Sequence, residues 1–299
     1  MQNKHNVLPY VTAIITSFIF GFSFLFSKRA LGVAEPLMLL SFRFLAAFIV
    51  MSILVALKLI KVNYKNKPVK WLILLSFIEP VIYFIFETYG LQRTASSVGG
   101  LMIALIPIAV TVLAAYLLDE KPSVIKAICI IISVSGVVLI VIMGSSKGET
   151  SSILGIALLL GAVLSAALFN IISRRISKHF SPMEITYFMM FVGAVSFNLL
   201  TVMKLTLRGK LSTYFQPLSS VTFVTSIFYL GILSSIIAYF LINYTLSKLQ
   251  ASTSSVFSNI STIVSIAAGV IFLRETFQVY HIIGAVLILA GVWGANYFK

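Results

Sequence analysis

Glu79, Tyr83 and Glu87 recur at every fourth residue of the stretch EPVIYFIFETYG, whose other residues suit a lipid-embedded segment. Steps of four advance a helix by about 400°, so the three side chains drift only about 40° per step and share one stripe. Carboxylates in such a helix either tie it to its neighbours or bind a proton or a ligand's cationic group. Exposing a charge to lipid costs at least about 2.5–3.5 kcal/mol, which turns the stripe toward a bundle interior or a wet cavity. Arg43 is the natural partner. It follows Pro36 by seven residues in the preceding apolar run, which puts it roughly 10 Å below the surface at about 1.5 Å per residue. Counted back from Gly90, Glu87 lies roughly 5 Å deep and Glu79 roughly 17 Å, so Arg43 falls between them. Its five donors can serve one carboxylate as a fork or be shared by two. One arginine and two carboxylates leave a surplus negative charge. It is either a protonated, hydrogen-bonded structural group or a seat for a proton or a cationic solute.

Other polar groups lie in later runs: Asn170, Asn198, Asn243 and Asn259. Interhelical hydrogen bonding accounts for most residues of this kind; Asn259 and Asn243 are the candidate solute contacts. Tyr83, Phe84, Tyr239 and Tyr244 offer aromatic walls, including a cation–π face. Pro80 and Pro107 each either kink a helix or free a carbonyl as a ligand. The small-residue stretches ASSVGG and ASTSS let helices approach closely. Glu120 and Glu275 end two apolar runs, where interfacial water solvates them.

Positioning these groups requires helices that cross a bilayer. The chain has 299 residues, 60% hydrophobic and 10% charged, with mean hydropathy +1.07. Soluble domains are about 25% charged, so water is not the main solvent here. Apolar runs of about 20 residues, enough to span, occupy 8–27, 37–57, 71–90, 98–118, 124–143, 153–173, 183–203, 221–244, 253–273 and 280–298. The first is too long for a signal-peptide core and lacks a cleavage site, so it is expected to remain as a span. The polar stretch KLTLRGKLSTYFQPLSS, the longest connection, reads as a surface loop.

The net charge of +14 sits in short gaps between runs, a pattern that sets orientation rather than one that binds nucleic acid. With the N-terminus inside, thirteen Lys and Arg fall on the inner side and eight on the outer, Arg43 being within a span. Both termini are therefore expected in the cytoplasm. Cys129 is the single cysteine and Asp119 the single aspartate, so neither a disulfide nor an aspartate pair can form. His5, His179 and His281 lie at or beyond run ends, and neither a zinc-protease helix motif nor a phosphate-binding loop occurs. An enzyme is excluded, and no cofactor or metal is implied. Rings of charge and filter loops, expected of a wide pore, are also missing.

The chain repeats itself. SKRALGVAEP and SRRISKHFSP align at an offset of 146, after which Tyr89, Leu91, Ser97, Leu118, Glu120 and Gly136 match Tyr244, Leu246, Ser252, Leu273, Glu275 and Gly291 at 155. Five runs per half is an odd number, so the second half must enter the membrane upside down, an arrangement used by transporters with a midplane site. The stretch YGLQRTASSVGGLMIALIPIAVTVLAAYLLDEKP and its echo YTLSKLQASTSSVFSNISTIVSIAAGVIFLRETF resemble the signature of EamA-type transporters of the drug/metabolite transporter superfamily. The resemblance covers essentially the whole chain. It implies a cavity lined by the first four spans of each half, with the fifth and tenth at the periphery, and carriage of small metabolites, most often outward. The second half departs from the first: Thr262 stands where Pro107 is expected, and Glu79 and Glu87 have no acidic counterparts.

The reading is an all-α membrane protein of ten spans in two inverted five-helix repeats, residues 1–146 and 147–299, in the cytoplasmic membrane. It carries a small polar metabolite such as an amino acid or amine by alternating access, with proton coupling through the surplus carboxylate. Arg43, Glu79, Tyr83, Glu87, Tyr239, Asn243 and Asn259 are the expected solute contacts, and the partners are the solute and the lipid bilayer. A facilitative uniporter and an importer of a cationic or quaternary ammonium solute are the alternatives. In a Cys129-free background, single cysteines at Lys147 and Lys248 should react from outside and from the cytoplasm respectively. The reverse pattern would overturn the orientation.

Overall fold

Without water in the hydrocarbon core, each apolar run closes its backbone hydrogen bonds within itself as a helix. The computed structural model describes residues 7–118, 124–146, 153–276 and 278–297, and among them no strand occurs. The first half contains α1 (Leu8–Leu31), α2 (Pro36–Ala56), α3 (Val69–Ser76), α4 (Tyr83–Gln92), α5 (Ser96–Ile103), α6 (Ile106–Leu118) and α7 (Val124–Ser146). The second contains α8 (Ile153–Ile176), α9 (Pro182–Leu207), α10 (Val221–Phe228), α11 (Tyr239–Lys248), α12 (Ala251–Ser255), α13 (Ser258–Leu273) and α14 (Val279–Tyr297). Eight stretches are long and apolar enough to cross a membrane, and two shorter apolar ones are Ala127–Ile140 and Val279–Gly294.

Four expected spans are interrupted. Between α3 and α4 the chain kinks within Phe77–Ile82, where Glu79 is extended (φ −145°, ψ 115°) ahead of Pro80. Proline removes a backbone donor and pushes its predecessor out of the helical region, which explains the break. A π-helical segment, Tyr229–Ala238, joins α10 to α11 without a proline. The remaining breaks are turns, one between α5 and α6 just before Pro107 and one between α12 and α13.

Helix α2 packs along α9, joined at one end by Glu35 to Lys204 (2.5 Å) and Arg208 (3.3 Å). The hydrogen bond from Lys204 holds the Glu35 carboxyl below the usual range. At the other end Lys67 meets Glu184 at 2.7 Å, and Glu184 forms a capping box with Ser181. The connection expected as a surface loop is partly folded in: Tyr214 is buried against Phe42 and donates to Asn198 Oδ1. Helices α7 and α14 pack mainly on each other, where Gly136 and Gly284 approach so closely that a Cβ on either would meet the other's carbonyl oxygen at 2.6 or 2.9 Å.

Glu275 does more than face interfacial water. Its two oxygens accept the N–H groups of Ser96 (2.6 Å) and Ser97 (2.9 Å), capping α5 from the far half of the chain. Beside it, Lys28 Nζ donates to the carbonyls of Leu91 (2.8 Å) and Thr94 (2.5 Å). Glu120 lies outside the described residues. Gly269 makes room for the cap, since a Cβ there would run into Glu275 Oε2. Hydrogen bonds to charged groups contribute about 1.5–3 kcal/mol. Gly269→Ala and Glu275→Ala should therefore each lower stability by about 1–3 kcal/mol, and the double variant should cost little more than either. Thermal unfolding in detergent reads the cycle; fully additive losses would separate Gly269 from the cap.

Candidate functional site

The break before Pro80 carries Glu79 into the middle of the bundle, where it is 5% exposed, and eight residues further on, in α4, Glu87 is 2% exposed. From α2 comes Arg43, at 1% exposure, and from α11 Tyr239, also at 1%. All four, with Tyr83, line one cavity. Its walls include Phe20, Phe24, Phe84, Phe169 and Phe257, and small hydroxyl residues of α1, α12 and α13 complete it.

Its hydrogen bonds run between the halves. Tyr239 donates to Glu79 Oε1 at 2.5 Å. In the opposite direction, Arg43 Nε donates to Ser235 Oγ (2.8 Å) and Nη2 to Ser234 Oγ (2.9 Å). The guanidinium carbon stands 4.2 Å from the Phe84 ring centre and 5.5 Å from that of Phe44. Depth matching placed Arg43 against Glu79 or Glu87, but among the described residues it forms no ion pair with either. The π-helical segment Tyr229–Ala238 delivers two serine hydroxyls to the guanidinium instead. Glu87 Oε2 accepts from Thr88 at 3.0 Å, and Glu79 Oε2 is buried with no partner among the described residues.

Two expected contacts stand elsewhere. Asn243 is fully buried and committed to helix packing, accepting from Ser173 (2.7 Å) and donating to Thr186 (3.1 Å). Asn259 does not line the cavity, although its neighbour Ser258 does. Asn170 is on the wall, its Nδ2 bound to the Ala166 carbonyl and its Oδ1 without a partner among the described residues. Ser234 and Ser235 escaped notice because serines in apolar runs are ordinary. The only signal was their adjacency, opposite a half that holds Glu79 and Pro80 at the corresponding place.

Buried charges facing a cavity, with no metal-binding cluster of His, Cys, Asp or Glu among the described residues, can bind, orient and release a charged solute. Residues 7–142 and 153–297 match the model of the EamA-like transporter family. An uncharacterized transporter, YcxC of Bacillus subtilis (strain 168), is 39% identical over 98% of this chain and 94% of its own length. A protein of Escherichia coli (strain K12) called a probable amino-acid metabolite efflux pump is 23% identical over 98% and 95%. A solved structure, described only as a crystal structure of a protein, superposes with a TM-score of 0.68 at 16% identity, covering 96% of both chains.

Proposed function

The chain belongs to the EamA-like transporter family, and from that premise we propose which solute it carries and how. It is a multi-pass membrane transporter of a small molecule and not an enzyme. The solute, on this reading, is a small polar metabolite of the amino acid or amine type, moved outward across the cytoplasmic membrane. The observation that carries the reading is the convergence of Arg43, Glu79, Glu87 and Tyr239 on one buried cavity built from both parts of the chain. The printed name of the Escherichia coli relative points to the same class.

Alternating access rests on the two halves, taken as residues 1–146 and 147–299, acting as inverted repeats of five spans each, α7 and α14 included. Two pairs of features support this. The kink within Phe77–Ile82 and the π-helical segment Tyr229–Ala238 fall at corresponding places. Lys28 and Arg174, equivalent at the offset of 146, each hook carbonyls at the end of the helix that follows its half's break; Arg174 Nη1 reaches Leu246 (2.9 Å) and Ser247 (2.7 Å). Rocking one repeat against the other exposes the cavity to each side in turn. The carboxylate in excess over Arg43 is the group that would carry a proton against the solute.

Glu79→Gln removes the charge while keeping the shape and an oxygen for Tyr239. In proteoliposomes, folded Glu79→Gln protein should lose the response of transport to a pH gradient, or lose cationic solutes, whereas Glu87→Gln should mainly reduce stability. Wild-type flux, pH response and solute preference in Glu79→Gln would defeat the coupling role.

A further inference from the structure

We propose that a second pocket, between the start of α3 and the end of α8, holds the headgroup of an anionic phospholipid, with Arg175 on its phosphate. Lys67 and Trp71 line this pocket from one part of the chain, Arg175 and His179 from the other, and it shares no lining residue with the central cavity. The two segments that build this end of the bundle, 57–71 and 173–184, carry eight Lys and Arg and a single acidic residue, Glu184. That carboxylate is already taken. It accepts from Lys67 Nζ (2.7 Å) and from the N–H groups of Asn63 (2.9 Å) and Ser181 (2.8 Å). Arg174 is likewise spent on the Leu246 and Ser247 carbonyls. Arg175 differs. Among the described residues its guanidinium has no ion pair and no hydrogen bond, and its central carbon lies over the Trp71 ring at 5.1 Å. A ring contact uses no N–H donor, so all five are left for an acceptor. The planar fork matches a phosphate through two parallel hydrogen bonds.

The surfaces that run away from the pocket select a lipid over a soluble phosphate. Along α8, Leu160, Leu164, Leu168, Ile171 and Arg175 follow one another at three or four residues, which is one face of a helix. Leu160 and Leu164 are exposed, and Leu168 and Ile171 are half-buried, so that face looks outward and ends in a cation. From Trp71, Leu74 and Phe77 continue an exposed apolar face along α3 and just beyond it. Where Arg175 lies over Trp71 the two faces meet. In a bilayer such faces lie against acyl chains, while an arginine and a tryptophan at their ends sit at headgroup level. A diacyl phosphate ester fits both parts, its chains on the apolar faces and its phosphate on Arg175. Basic pockets between spanning helices recognise anionic headgroups in this way. A choline headgroup instead brings its own cation to an end already rich in them, which weighs against it.

Three probes separate the possibilities: dioleoyl phosphatidylglycerol, dioleoyl phosphatidylcholine with the same chains, and glycerol 3-phosphate with none. Each is added to the purified chain in detergent at about 0.5 M salt, where diffuse attraction among exposed charges is screened. Thermal unfolding reads the binding, because a ligand of the folded state raises the midpoint by mass action. Phosphatidylglycerol should stabilise the wild-type chain at concentrations at least about tenfold lower than phosphatidylcholine, as a charge-assisted contact predicts. Glycerol 3-phosphate should have no effect in that range. Arg175→Gln should weaken phosphatidylglycerol by about tenfold. Lys65→Gln, an equal loss of charge at the same end but outside the pocket, should change it by less than about twofold. Equal stabilisation by the two lipids, no stabilisation by phosphatidylglycerol, or equal losses in the two variants overturns the proposal. Glycerol 3-phosphate acting as well as phosphatidylglycerol would give the pocket to a soluble phosphate ester and overturn it too. The comparison of lipids on the wild-type chain holds whatever the stability of either variant.

Discussion

Three charged side chains in an apolar bundle impose the constraint to which the rest of the structure answers. Arg43, Glu79 and Glu87 are each no more than 5% exposed, and ions taken from water must find donors, acceptors or opposite charges near at hand. The chain meets this by breaking two helices. The first break lowers Glu79 into the cavity, and the second turns Ser234 and Ser235 toward Arg43. Helix packing elsewhere serves to hold these interruptions in place: α2 is tied to α9 through Glu35 and Lys204, and the segment that follows α2 is tied to α9 through Lys67 and Glu184. Aromatic rings around Tyr239, with Phe20 at 5.5 Å and Phe169 at 6.0 Å between centres, fix the phenol that holds Glu79.

The numerical offset of 155 sets Glu79 opposite Ser234, Pro80 opposite Ser235 and Phe84 opposite Tyr239. At matching places one half offers a charge and the other a hydroxyl, and each reaches across to its counterpart's half. Two copies with identical chemistry here would bury either two carboxylates or none. The departure from symmetry is what places a cation and an anion in one cavity.

Much of this was legible in the sequence. The four-residue spacing of Glu79, Tyr83 and Glu87 placed all three on one face, and they do line one cavity with Arg43 and Tyr239. The all-helical character was legible in the apolar runs, and eight stretches of the structure are long and apolar enough to cross a bilayer, with two shorter ones beside them. The breaks were harder to see. Pro80 signalled one, but Tyr229–Ala238 departs from regular geometry without a proline. The hydroxyl partners of Arg43 were hidden for the same reason: depth along straight helices points to a carboxylate, whereas Ser234 and Ser235 reach the guanidinium from that irregular segment. Asn243 illustrates a different limit. A buried amide serves packing and recognition equally well, and only its neighbours, Ser173 and Thr186, decide between them.

The central claim is that the two halves meet through polar contacts across the cavity, and the bond from Tyr239 to Glu79 tests it most directly. A double-mutant cycle of Tyr239→Phe and Glu79→Gln, followed by thermal unfolding in lipid nanodiscs, isolates that contact from whatever else each residue does. Residues in direct contact couple by about 0.5–3 kcal/mol, and a value in that range is the predicted result. Losses that add to within about 0.3–0.5 kcal/mol would mean that the two side chains act independently and would contradict the account.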